Sequence, residues 1–88
     1  MKHWNIRIFG KVQGVFVRET AKREAEILGI KGFVRNEPDG SVYIEAEGEE
    51  LDLKQFVGWC RRGTPYSAVE RVSSEVGPPQ NFTHFSIF

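Results

Sequence analysis

The segment Gly10-Lys11-Val12-Gln13-Gly14-Val15-Phe16-Val17-Arg18 sets two glycines and an arginine where the residue pattern changes from alternating to helical. At a helix start the main-chain N–H groups have no intrahelical acceptor, so several of them can converge on one anion. Gly14 lets the backbone come close to such an anion. Arg18, at the start of the helix, adds a planar guanidinium fork suited to phosphate or carboxylate oxygens. It would be the one full positive charge aimed there. The same residues also fit a tight turn followed by a surface arginine. The spacing matches neither GxxxxGK[ST] nor GxGxxG, so neither a P-loop nucleotide site nor a dinucleotide site is supported. A second candidate is Asn36, which ends a strand just before Glu37-Pro38-Asp39-Gly40 and shares an alternation face with Val34. It either caps that turn or, if the fold brings it near Arg18, offers an amide to whatever binds there.

Other chemistry finds little support. There is no GxSxG and no Cys–His arrangement. Cys60 falls at an apolar helical position and reads as core. His3 and His84 lie near the two ends of the sequence and read as strand residues. Asp39, Asp52 and the glutamates stand at no metal-ligand spacing to them. Neither a metal nor a cofactor is expected.

The elements that must position the candidate residues follow from periodicity. Trp4, Ile6 and Ile8 alternate as a strand, and Val17, Ala21, Ala25 and Leu28 recur at helical spacing up to Gly29, a left-handed cap. Ile30 to Asn36 and Ser41 to Glu47 read as two strands of a hairpin, with Val42, Ile44 and Ala46 facing in. Leu53, Phe56, Val57 and Cys60 form the apolar stripe of a second helix, with Glu49 and Glu50 at its start and Arg61 and Arg62 at its end. Val69 to Val76 is a further strand whose valines do not strictly alternate, which predicts a bulge. Phe82 to Phe88 is a short last strand with Phe85 and Ile87 pointing inward. The order β-α-β-β-α-β plus a C-terminal strand predicts an α+β, ferredoxin-like split βαβ sandwich. Both helices then cover one face of an antiparallel sheet, because so short a chain cannot supply a third layer.

Composition bounds the rest. The 88 residues make a single domain, 1–88, with one modest core. Twelve basic residues balance twelve acidic ones, so no overall field holds a nucleic acid or an anionic membrane. No apolar run is long enough to span a bilayer, and Met1-Lys2-His3-Trp4-Asn5 lacks a secretory leader's apolar stretch. The lone cysteine can form no internal disulfide, which points to a reducing cytoplasm. A monomer is expected, with no nucleic-acid and no membrane partner.

With these residues in place, a resemblance emerges. Gly10 to Arg18 resembles the first signature of the acylphosphatase family. Gly32-Phe33-Val34-Arg35-Asn36-Glu37-Pro38-Asp39-Gly40-Ser41-Val42, followed by Gly48, resembles its second. The likeness continues through Gly63-Thr64-Pro65, Val69, Val72 and Phe85-Ser86-Ile87, and so covers nearly the whole chain. It implies hydrolysis of small acyl phosphates to a carboxylate and inorganic phosphate, the latter also a competitive inhibitor. It implies a phosphate held by the N–H groups of Gln13, Gly14, Val15, Phe16, Val17 and Arg18 and by the Arg18 side chain. Asn36 would then position the attacking water. One position departs from the pattern: the family's arginine usually follows an aromatic residue, and here it follows Val17.

That chemistry asks for few groups. The departing carboxylate has a pKa of about 4 and leaves without a proton from a general acid. What remains is positioning and charge stabilisation. Two non-catalytic readings compete. RNA-recognition modules share the element order, and Lys31-Gly32-Phe33-Val34 echoes part of their signature. It does so on the second strand rather than the third, in a neutral chain. A regulatory domain that kept only the fold would have no need of both Arg18 and Asn36.

Overall fold

The computed structural model describes all of residues 1–88. The elements are β1 (Lys2–Lys11), α1 (Val17–Ile27), β2 (Lys31–Asn36), β3 (Val42–Gly48), α2 (Glu50–Arg62), β4 (Ala68–Gly77) and β5 (Phe85–Ile87). They build one five-stranded sheet in the order β4-β1-β3-β2-β5. The first four strands pair antiparallel, as expected, while β5 adds to the free edge of β2 in parallel. No helix is long and apolar enough to cross a membrane.

Each helix forms where an apolar stripe meets the sheet. Val17, Ala21 and Ala25 are the buried residues of α1, and Gly29, just beyond it, takes a left-handed φ of 71°. In α2 the buried residues are Leu53, Phe56, Val57, Trp59 and Cys60, with Glu50 and Asp52 in the first turn and Arg61 and Arg62 in the last. These charges complement the helix dipole. Opposite them Ile6, Ile8, Val34, Val42, Ile44 and Ala46 are fully buried. Burying a large aliphatic side chain of this kind contributes about 1.5–3 kcal/mol. The same burial pushes the Cys60 thiol pKa well up, which fits a core residue and not a nucleophile.

The uneven valines of β4 have a structural cause. Phe9 pairs with Arg71 but Gly10 pairs with Val69, so Glu70 is an extra residue and β4 bulges there. Gly10 has φ 126°, and a Cβ on it would lie 2.2 Å from the Ala68 carbonyl oxygen. Only glycine fits, one residue before β1 ends at Lys11 and the loop begins.

Strands β4 and β5 lie at opposite edges of the sheet, so residues 78–84 must cross its helix-free face. A buried carboxylate pins this strap. Glu47 is fully buried and accepts hydrogen bonds from His3 Nδ1 (2.6 Å), the Phe82 N–H (3.0 Å) and the Gln80 N–H. His3 Nε2 lies 2.9 Å from Asn5 Oδ1 and 3.1 Å from Glu45 Oε1. Phe82 stacks on the His3 ring and meets Phe33 edge-on. Burial raises the Glu47 pKa, but the donors from Gln80, His3 and Phe82 more than offset it and hold the group below its usual range. Three sequence expectations change at this end of the chain. The last strand is shorter than 82–88, because residues 78–84 are committed to the crossing. His84 is exposed and precedes β5 instead of lying in a strand. Phe85 points inward, but Ile87 sits on the outermost strand and stays 38% exposed.

Replacing Glu47 by Leu should therefore leave His3 Nδ1 and two strap N–H groups unpaired and cost on the order of 3 kcal/mol at neutral pH. A depressed carboxylate pKa contributes stability above the unfolded value, lost as pH falls through the folded one. The stability gap between wild type and Glu47→Leu in urea unfolding should shrink below about pH 4. A gap that stays constant on acidification would assign the loss to packing instead.

Candidate active site

Between β1 and α1 the chain makes a loop whose backbone is left open. Gly14 and Phe16 both take left-handed conformations, with φ of 73° and 68°. The N–H groups of residues 13 to 16 find no acceptor in the chain, and the first bond of α1 runs from the Thr20 N–H to the Phe16 carbonyl at 3.1 Å. Alternating backbone hands of this kind form a concave nest of N–H groups.

Three contacts hold the loop in shape. Val12 and Val15 are buried in the core beneath it. The buried Thr64 hydroxyl donates to the Val15 carbonyl at 2.7 Å. Gln13 Nε2 donates to the carbonyls of Glu37 (2.7 Å) and Ser41 (3.0 Å), which ties the loop to the β2–β3 turn. That turn is organised by Asp39, whose carboxylate accepts from the Ser41 hydroxyl (2.6 Å) and N–H (2.9 Å). The hydroxyl bond, then the N–H bond, hold the Asp39 pKa below its ordinary value.

Arg18 and Asn36 reach the same place from different elements. Asn36 ends β2, paired with Val42, and Arg18 opens the first turn of α1. Together with Val12, Gly14, Phe16, Val17 and Glu19 they line a cavity of about 130 Å³. Arg18 Nη1 donates to the Phe88 main-chain oxygen at 2.8 Å, and Lys22 Nζ to the Phe85 carbonyl at 2.8 Å, so β5 and the residue after it steady the arginine face of α1. The Asn36 side-chain oxygen is buried and has no hydrogen-bond partner in the protein. It does not cap the adjacent turn; Asp39 and Gln13 serve that turn. A buried amide oxygen left unpaired costs about 1–3 kcal/mol.

Among the residues singled out in the sequence, Gly14, Phe16, Val17, Arg18 and Asn36 meet at the cavity. Gln13 and Val15 do not line it: Gln13 spends its side chain on the turn and Val15 is core. Val17 is buried as well, so the usual aromatic's place is taken by a branched residue of the core. The sequence did not show Glu19 on the cavity wall or Thr64 under the loop. Thr64 stands 49 residues from the carbonyl it holds, and no local pattern reports such a contact.

Comparison with known proteins bears on the chain as a whole. The acylphosphatase family profile matches residues 4–87. An acylphosphatase of Marinobacter nauticus is 43% identical over 86 residues, covering 97% of this chain and 94% of the relative. The crystal structure of an acylphosphatase from Bacillus subtilis superposes with a TM-score of 0.97 at 36% identity, covering 100% of this chain and 99% of that one. A second acylphosphatase structure, from Coxiella burnetii, gives 0.95 at 32% identity over 99% of this chain and 92% of that one. With fold and full-length sequence likeness in accord, the chain belongs to the acylphosphatase family and hydrolyses acyl phosphates.

Proposed function

We propose that the substrate's phosphoryl group sits in the nest of residues 13–18, gripped by the Arg18 fork, and that Asn36 aims the attacking water. The observation that carries this reading is the buried, unpartnered Asn36 oxygen in the same cavity as Arg18. An acceptor in that position suits a water O–H, and a water held there presents a lone pair to the phosphorus.

Asn36 is not a base. As the water oxygen bonds to phosphorus, the bond from phosphorus to the acyl oxygen breaks, and the carboxylate leaves with the electron pair. A phosphoryl oxygen takes the water's proton. The unpaired N–H groups and the guanidinium carry the charge on the transferring group. Inorganic phosphate, as the product, occupies the same cradle and inhibits competitively. All of the proposed groups come from one chain, which supports a monomer acting as one unit over residues 1–88. The buried thiol of Cys60 suits a reducing cytoplasm.

Four variants test the reading. Arg18→Ala should lower kcat/KM about a thousandfold and weaken phosphate inhibition. Arg18→Lys should fail nearly as badly, because a point charge does not reproduce a planar fork; retention of most of the activity would remove the fork from the mechanism. Asn36→Ala should lower kcat about a hundredfold with phosphate inhibition nearly intact. Asn36→Asp should bind phosphate more weakly than the alanine variant, since its charge faces a dianion. A near-wild-type kcat in Asn36→Asp would take Asn36 out of catalysis.

Phosphate should also raise the melting temperature. A ligand at a hundredfold excess over its Kd adds about 2.7 kcal/mol, on the order of ten degrees or more for a chain this short. Thr64→Val removes the donor under Val15 and should lower stability by about 1 kcal/mol while weakening phosphate binding. Lost stability with unchanged phosphate affinity would limit Thr64 to a structural part.

A further inference from the structure

Phe16 is anomalous on two counts. Its backbone is left-handed, which costs an ordinary side chain about 1–2 kcal/mol and which glycine or asparagine adopts more cheaply. Its ring is 58% exposed, where an aromatic gains little from burial. It lines the same cavity as Arg18 and Asn36. Its one aromatic neighbour is Tyr66, whose ring centroid stands 5.6 Å away in edge-to-face geometry and which is itself 67% exposed. Two exposed rings in contact at the mouth of a phosphate cavity form an apolar platform beside the reacting centre.

The platform is fixed relative to the cavity. The Tyr66 N–H donates to Thr64 Oγ1 at 3.3 Å, and the Thr64 hydroxyl in turn donates to the Val15 carbonyl in the loop. The Ser67 N–H and hydroxyl both donate to the Thr64 carbonyl, and the Ser67 hydroxyl oxygen accepts from the Thr64 N–H at 2.8 Å. The turn that carries Tyr66 is thus tied to the segment that carries Phe16. The cavity wall supplies one cation, Arg18, and one carboxylate, Glu19. With the guanidinium occupied by the phosphate, a second negative charge on the substrate would meet Glu19.

We infer that Phe16 and Tyr66 form the binding platform for the acyl group, and that this chain favours acyl phosphates with a neutral aromatic or extended apolar acyl part over small or anionic ones. This rests on the phosphate placement proposed above, because the two rings can meet the acyl part only if the phosphoryl group sits in the adjoining cavity.

The test compares benzoyl phosphate with acetyl phosphate, whose reacting atoms are the same, in wild type, Tyr66→Ala and Tyr66→Phe. Tyr66 is exposed and none of the bonds that build its turn uses its side chain, so the variants should fold; unchanged melting temperatures verify this. In Tyr66→Ala, kcat/KM for benzoyl phosphate should fall about tenfold, while acetyl phosphate turnover and inhibition by inorganic phosphate hold. Tyr66→Phe should keep the wild-type ratio of the two substrates. An equal loss on both substrates, or no loss on either, overturns the platform but leaves the phosphate site standing. A shift in phosphate inhibition alone counts against the platform as well. If Arg18→Ala leaves benzoyl phosphate turnover untouched, the phosphate placement fails and the platform with it.

Discussion

Main-chain N–H groups without an acceptor destabilise a fold unless a solvent molecule or a ligand reaches them, by about 1–3 kcal/mol each when buried. An anion cradle needs several such groups side by side, and it needs them not to collapse onto the nearest carbonyl. Much of this molecule serves that constraint. Gly10 allows β1 to approach β4 closely at the Glu70 bulge, just before the chain leaves the sheet. Val12 and Val15 anchor the loop from below. The Gln13 amide and the Thr64 hydroxyl engage carbonyls around and within the loop, so its N–H groups stay open. The left-handed backbone at Gly14 and Phe16 sets the concavity.

The sheet order supplies the second half of the site. Because β3 lies between β1 and β2, the loop after β1 and the end of β2 come out at the same end of the sheet. Gln13 spans the gap to the β2–β3 turn, and Asn36 is brought opposite Arg18. The remaining strand reaches Arg18 from the far side. The strap pinned by Glu47 delivers β5 to the edge of β2, where the Phe85 carbonyl meets Lys22 and the oxygen of Phe88, just beyond β5, meets Arg18. A buried acid at one end of the sheet thus fixes the path of the segment that steadies the arginine at the other.

Elements with strong periodicity were legible in the sequence, and so were the residues whose type and local context carry chemistry. The stripes Val17-Ala21-Ala25 and Leu53-Phe56-Val57-Cys60 placed both helices, and uneven valines announced the bulge at Glu70. Arg18 and Asn36 stood out because each sits at the junction between an element and a turn. What stayed hidden depends on contacts across the fold. Glu47 reads as the polar side of an alternating strand, and nothing local reveals that a strap covers it. Thr64 reads as a turn residue, and Ile87 as inward by alternation, though no strand lies beyond it. The handedness of Phe16 is likewise unreadable, since an aromatic residue is a poor signal for positive φ.

The central claim is that phosphate binds on the open N–H groups of the β1–α1 loop. Titrating inorganic phosphate into isotope-labelled protein and following the backbone amide signals tests it directly. Large downfield amide-proton shifts are expected, confined to residues 13–18, with a titration midpoint at the inhibition constant, and absent in Arg18→Ala. Shifts centred elsewhere, or shifts that persist unchanged in that variant, would contradict it.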